Sequence, residues 1–348
     1  MGQEVVRAID VGYGHVKWTE GRSANGPIIA RQFESQSPVA ASAVLQSDAL
    51  HRRDTFIVPV NGRKYEVGRD VRLALTGNQE TEVLDGDFAL SDAYAARLYG
   101  ALNYMQRGLQ GSAIDCLVLG LPMTTYERYC SELARKFSGT HTISESGAQV
   151  RINRCVVYPQ PVGSYAAYMA EPLLHHDRAP LTLVVDPGYL TVDWFLCEGM
   201  TANTAQTHAV ERGMSAALRH VARSIIKEQG ATGGESEIVR LLDRSLSSNR
   251  PMTIAGRQVD MGKHLSAADD VFDEAAQAIR NHVGAGHAIE LILVTGGGAS
   301  LYLPALQRKF PSHNVRAVRD PAMANVRGFH QIGELLARST QRASASTA

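Results

Sequence analysis

One unit occurs twice in this chain and limits what it can fold into. A short, largely apolar run ends in Asp-x-Gly and leads at once into a second run. The first copy is Glu4–Asp10 (EVVRAID), followed by Gly12, Tyr13, Gly14, His15 and Lys17. The second is Leu181–Asp186 (LTLVVD), followed by Pro187, Gly188, Tyr189, Leu190, Thr191 and then VDWF. Apolar runs of this length bounded by Asp, Gly or Pro read as buried strands. Ile114–Leu121 (IDCLVLGL) and Glu290–Thr295 (ELILVT) are two more. Their hydrophobicity is continuous rather than alternating, as in α/β sheets covered on both faces. Such folds place ligands beyond the carboxyl ends of the strands, where the Asp, Gly and Pro residues stand here.

Between the strands, helical spacing marks Leu90–Arg107, Thr125–Phe137, Ser164–Leu174, Gly213–Gln229, Glu235–Leu246 and Ser266–Val283. Ser266 with Asp269 has the form of an N-cap signal. A chain of 348 residues with 44% hydrophobic content is long enough for two cores rather than one. The polar stretch Thr76–Asp87 reads as a surface loop, and the small, polar stretch Ser339–Ala348 as a disordered tail.

The chemistry lies at the turns. Glycines at 12 and 14 allow close backbone approach to a ligand, and successive amides in such a turn form an anion-binding concavity. Asp10, at a strand end, suits Mg²⁺ through water, because magnesium keeps several waters. Lys17 places a cation on the returning strand. The second copy repeats the logic with Asp186, Gly188 and the Thr191 hydroxyl. A third unit, Val156–Ala167, ends a strand in the proline-flanked Gln160, a neutral amide that can orient a water. A fourth, Leu293–Leu301, holds Gly296, Gly297 and Gly298 between strand and helix, leaving room for a flat ligand or ribose. A fifth, Asp320–Phe329, sets Asn325 and Gly328 in a small-residue helix suited to close packing. Each unit alone also has a plain structural reading as a glycine turn, a linker or core packing. The two hairpins together carry the weight, because both can grip one polyphosphate.

Bulk properties narrow the partners. Lys plus Arg equals Asp plus Glu at 35 each, without the basic excess of a protein that grips nucleic acid along its phosphates. Neutrality also leaves little repulsion against self-association. Cys116, Cys130, Cys155 and Cys197 show no CxxC or metal-ligand spacing and read as free thiols, three of them in apolar runs. His175 and His176 are adjacent and make a poor metal pair, and Trp194 with Phe195 reads as core. No signal-peptide pattern opens the sequence, and no apolar run approaches the roughly 18 residues that cross a bilayer. The expected location is cytoplasmic.

The order of the five units resembles the actin, Hsp70 and sugar-kinase ATPase superfamily: phosphate 1, connect 1, phosphate 2, adenosine, connect 2. Within it, VVDPGYLTVDW, ERGMSAAL, GGGASLYLPAL and ANVRGF are similar to bacterial plasmid-segregation actins of the ParM/StbA type, including the PRTRC-system D proteins. The resemblance implies an actin-like (ribonuclease H-like) two-domain α/β ATPase fold with a nucleotide cleft between the domains. Residues 1–161 with 320–338 would form domain I, and 162–319 domain II. It implies that Asp10 and Asp186 organise Mg²⁺, that Gly12 to His15, Lys17 and Gly188 to Thr191 hold the phosphates, and that Gln160 positions the attacking water. A glutamine stands where ParM-type proteins usually carry glutamate, and it is a poor proton acceptor. Glu211, Gly213, Asp243 and Arg244 fall near ribose and adenine; Gly296 to Gly298, with Leu301, floor the base pocket. The implied activity is hydrolysis of Mg-ATP coupled to filament assembly for plasmid segregation. The implied partners are further copies of the chain and a DNA-binding adaptor protein, without direct contact to nucleic acid or membrane. Glycine turns do not separate ATP from GTP. Three other readings stay open: a sugar or acid kinase, which needs a catalytic Asp near Gln160; an Hsp70-like chaperone, which needs a substrate-binding domain after residue 338; and a nucleotide-binding scaffold without turnover.

Overall fold

The structure is a computed structural model that describes residues 4–23, 26–41, 51–75, 87–109, 111, 113–171, 179–229 and 234–346. The chain forms two compact units, Met1–Glu171 with Met323–Ala348, and Pro172–Ala322.

In the first unit, β1 (Val6–Val11), β2 (His15–Arg22) and β3 (Ile28–Glu34) form a meander, and β4 (Thr55–Val60) with β5 (Arg63–Gly68) forms a separate hairpin. Then come α1 (Asp92–Gln106), β6 (Ala113–Leu121), α2 (Met123–Lys136), β7 (Gly139–Thr142), β8 (Gln149–Pro159) and α3 (Gln160–Met169). The main sheet runs β3-β2-β1-β6-β8-β7, with β1 antiparallel to β2 and parallel to β6. In the second unit, β9 (Leu181–Pro187), β10 (Val192–Glu198) and β11 (Thr201–Val210) lead into α4 (Met214–Gln229) and α5 (Glu235–Ser248). A small hairpin of β12 (Met252–Ile254) and β13 (Arg257–Val259) follows, then α6 (Gly262–Leu265), α7 (Asp269–Val283), β14 (Leu291–Val294), α8 (Ala299–Lys309) and β15 (Asn314–Ala317). This sheet runs β11-β10-β9-β14-β15, with β9 antiparallel to β10 and parallel to β14. The unit repeated in the sequence is therefore a repeated sheet topology. In both sheets the hairpin comes first and a parallel strand then joins its inner member.

Both faces of the central strands β1 and β6 are buried, as continuous hydrophobicity requires. Ile9, Leu117 and Leu119 pack with Tyr94, Leu98 and Leu102 of α1 and Leu133 of α2. The opposite face, Val6, Ala8, Cys116 and Val118, is covered by Val326, Phe329 and Ile332 of α9 (Pro321–Ser346). The second core joins Leu183, Val185 and Trp194 to α4, α7 and α8. Trp194 and Phe195 are buried, as the sequence predicts. Cys116, Cys155 and Cys197 are buried and Cys130 is intermediate, all four as free thiols. No helix among the described residues is long and apolar enough to cross a membrane.

Several local expectations change. Ser266 does not cap a helix: Ser266–Ala268 is a 3-10 turn, and α7 starts at Asp269 behind Ala268 with no side-chain cap bond. The preceding α6 already fixes the chain in right-handed helical geometry, so Ser266 never adopts the extended backbone that a cap requires. The stretch from Ser339 is helical to Ser346, because Ala, Arg and Gln extend a formed helix without a fresh nucleation step. Gln160 opens α3 rather than closing a strand, and the expected boundary at 161/162 falls inside that helix, which belongs to the first unit. Residues 76–86 of the expected surface loop lie outside the described residues, as do His175 and His176.

Candidate functional site

The first turn joins β1 to β2. The amide of Gly12 donates to the His15 carbonyl at 3.1 Å, closing a tight loop over Tyr13 and Gly14. A Cβ on Gly12 would lie 2.9 Å from that same carbonyl, so only glycine sits there without displacement. Asp10 pairs across the strands with Lys17 and is 2% exposed. Its Oδ1 accepts from Nε2 of Gln160 at 2.7 Å, joining two residues 150 positions apart. Gly120, on the neighbouring strand β6, leaves room for this carboxylate: a Cβ there would lie 3.0 Å from Asp10 Oδ1.

The position of Gln160 follows from the helix it begins. Pro161, in the first turn of α3, has no N–H to leave unsatisfied at the helix start. Asn325 of α9 then accepts from both the amide and the hydroxyl of buried Ser164, the former at 3.2 Å. The two helices cross at glycines, since a Cβ on Gly328 would meet the Gly163 carbonyl at 1.6 Å. Phe329 fills the space beneath, within 3 Å of where side chains at Gly120 or Gly163 would begin. Burial, reinforced by Lys17 and opposed by Glu34, lowers the His15 imidazole to about 4, so it is neutral at pH 7.

The second turn repeats the construction. The amide of Gly188 donates to the Thr191 carbonyl at 2.8 Å. The N-terminus of α4 docks on this turn: the amides of Gly213, Met214 and Ser215 donate to the carbonyls of Leu190, Gly188 and Tyr189 at 3.1, 3.0 and 2.7 Å. Gly213 allows this approach, because a Cβ there would lie 2.6 Å from Leu190 backbone. Asp186 is 5% exposed, and its partner across the strands is Asp193, also buried, where the first turn has Lys17. The Thr191 hydroxyl donates to Asp193 Oδ2 at 2.5 Å.

Two of the three glycines after β14 are shaped by this turn. Gly296 has φ +76°, and a Cβ on it would fall 2.0 Å from Asp186 Oδ1. One on Gly298 would fall 3.0 Å from Met214 Sδ and from Pro187. Gly297 alone meets nothing within 4 Å and is exposed. Leu301 is partly buried against the second core. Asp243 lies on α5 close enough to add to the effect of burial on Tyr189, whose hydroxyl is pushed up to about 12 against Arg219 and Arg240. Arg244, also on α5, accepts from the Ser247 and Ser248 hydroxyls through its carbonyl, and Glu211 is exposed just beyond β11.

Among the described residues no group of three His, Cys, Asp or Glu side chains gathers, so neither turn is an all-protein metal cage. A buried carboxylate beside a glycine turn, Asp10 at the first and Asp186 opposite Asp193 at the second, is instead a donor set that suits Mg²⁺ carried by a polyphosphate. Three residues at these turns escape sequence reading. Ser35 donates its hydroxyl to the Gly12 carbonyl at 2.6 Å and its amide to the Gly14 carbonyl at 2.9 Å. Asp193 carried a readable signal, since it follows Asp186 at the spacing of Lys17 from Asp10. Gly120 carried none beyond its place at a strand end.

Two family models match consecutive parts of the chain: "Actin like proteins N terminal domain" over residues 8–163 and "Archaeal actin homologue MreB-like, C-terminal" over residues 184–308. No curated protein matches. Among solved structures, the archaeal actin homolog Ta0583 aligns over 95% of this chain and 99% of its own, with TM-score 0.71 and 21% identity. It has also been solved as a complex with ADP. The ParM of a 15-stranded filament from Clostridium botulinum aligns over 96% and 100%, with TM-score 0.71 and 15% identity. The apo psk41 ParM protein aligns over 98% and 100%, with TM-score 0.65 and 17% identity.

Proposed function

The chain belongs to the actin-like protein family, and from that premise we propose that it binds and hydrolyses Mg-ATP through its two glycine turns and assembles into filaments. The observation that carries the reading is the duplication. Each unit sets a buried Asp one residue before the end of the first strand of its hairpin and follows it with a turn closed by the same glycine-to-carbonyl bond. An amide-lined turn favours polyphosphate, and a magnesium ion, when bound, neutralises the charge that develops on the transferring phosphoryl group. Asp10 and Asp186 are its carboxylates in this reading, acting through coordinated water. Lys17 adds a fixed positive charge beside Asp10.

Gln160 orients the attacking water. Its Nε2 is committed to Asp10, so its carbonyl oxygen is the atom that accepts from that water. The amide serves for positioning and does not take the proton. The ADP complex of Ta0583 and the filament of the clostridial ParM support nucleotide binding and self-association here. By the same likeness we assign the chain to DNA segregation, with cargo reached through a DNA-binding adaptor; a formal charge of zero argues against a direct grip on DNA.

The test is phosphate release and light scattering with Mg-ATP, for the wild type and Asp186→Ala. The wild type should turn over ATP, and its scattering should rise and then decay. Asp186→Ala should keep ATP binding and lose hydrolysis. Wild-type turnover in the variant removes Asp186 from the site. Tight ATP binding without phosphate release in the wild type identifies a nucleotide-binding scaffold instead.

A further inference from the structure

We propose that Ser35 is a positioning residue for the Gly12–His15 turn, holding the turn's carbonyls on one side so that its amides face an incoming polyphosphate; the proposal rests on the nucleotide reading above. The argument comes from comparing the two turns. Gly12 and Gly14 occupy the places that Gly188 and Leu190 occupy in the second copy, counted from the closing glycine-to-carbonyl bond. In the second turn the carbonyls of Gly188 and Leu190 accept from the backbone at the start of α4. Among the described residues no helix start does this for the first turn. There a single residue at the end of β3 takes over both bonds, its hydroxyl to Gly12 and its amide to Gly14.

The consequence for the amides follows from the planar trans peptide. A carbonyl drawn toward Ser35 sends the next N–H the opposite way, so fixing Gly12 and Gly14 aims the N–H groups of Tyr13 and His15 away from Ser35. A free Gly12 peptide could instead rotate its oxygen toward a phosphate, exchanging an attraction for a repulsion.

Ser35 is 2% exposed, and its surroundings hold it in place. Two residues further on, the Ser37 hydroxyl accepts from Nε of buried Arg97 at 3.1 Å. The Arg97 guanidinium lies 4.9 Å over the Phe88 ring, which packs 5.2 Å from the ring of Tyr13 in the turn itself. The brace is thus anchored to α1 and returns to the loop it supports.

The experiment measures displacement of a fluorescent ATP analogue by ATP and by adenosine, with Mg²⁺ present, for the wild-type chain and Ser35→Ala. Thermal unfolding is followed in parallel. The amide bond to Gly14 survives the substitution, so the chain should fold. Loss of one buried hydrogen bond should weaken ATP by about three- to tenfold, with adenosine unchanged because it carries no phosphate. Wild-type ATP affinity in Ser35→Ala overturns the proposal, and so does an equal loss for ATP and adenosine, which would mark general loosening. A wild-type chain that does not bind the analogue overturns the nucleotide reading itself, and this proposal with it.

Discussion

Gly296 offers a sharp perturbation because the two effects of adding a methyl group can be read separately from the structure. Its φ of +76° is a left-handed conformation, which for an L-residue costs roughly 1–2 kcal/mol. The new Cβ would also lie 2.0 Å from Asp186 Oδ1 and 2.9 Å from the Pro187 carbonyl. Because the second contact is to backbone, the Asp186 carboxylate has to yield, by about 1 Å to reach the shortest separation Cβ atoms tolerate. A displacement of that size at a reacting group lowers turnover by about 10²-fold. Gly296→Ala should therefore melt a few degrees lower and release phosphate from Mg-ATP about a hundredfold more slowly. Gly297→Ala is the internal control, since its Cβ meets nothing within 4 Å and its φ is not positive. It should melt at the wild-type temperature. If Gly296→Ala hydrolyses ATP at the wild-type rate, the link between this glycine and a working Asp186 is wrong.

Gln160→Ala should lower kcat by about 10²-fold while leaving ATP affinity within a factor of two, the signature of lost water positioning; equal losses in both parameters would point to disruption of Asp10. Phe329→Ala removes a fully buried ring under α3 and should cost about 3–5 kcal/mol in denaturant unfolding; less than 1 kcal/mol would show that α3 and α9 pack without it. His15 binds a proton near 6.5 in the unfolded chain and near 4 when folded, so between these values the unfolded state holds more protons. Stability should fall as pH drops through that window and level off below it. His15→Gln should flatten this limb of the urea midpoint, and an unchanged limb would clear His15 of the effect.

The buried strands were legible because burial on both faces leaves unbroken apolar runs, and β1, β6, β9 and β14 match them within two residues. The β4–β5 hairpin carries an equally legible signal: Asn61 and Gly62 both have positive φ, the turn that an Asn-Gly pair favours. Pairing between distant residues was beyond a linear reading. Gln160 and Asp10 were named for separate duties, and their hydrogen bond depends on a parallel register between β6 and β8 that no local pattern encodes. Ser35 carries no local signal in the sequence. Its part in the first turn comes from the return of β3 alongside β2, which brings it to Gly14 across the sheet edge. The triple glycine was legible as a need for space; that Gly296 makes way for the Asp186 carboxylate was not.

The first unit is interrupted by the whole of the second, and α9 supplies the face that covers Val6, Ala8, Cys116 and Val118. During synthesis those side chains, flanked by Val162 and Ala166 of α3, stay partly bare until α9 emerges, while the second unit, continuous in sequence, can condense earlier. Nascent chains halted before Pro321 should accordingly present a sticky β-sheet to chaperones, with the inserted unit already protease-resistant beside it. Maturation then waits on one late docking event, and that event also brings Asn325 to the start of the helix bearing Gln160.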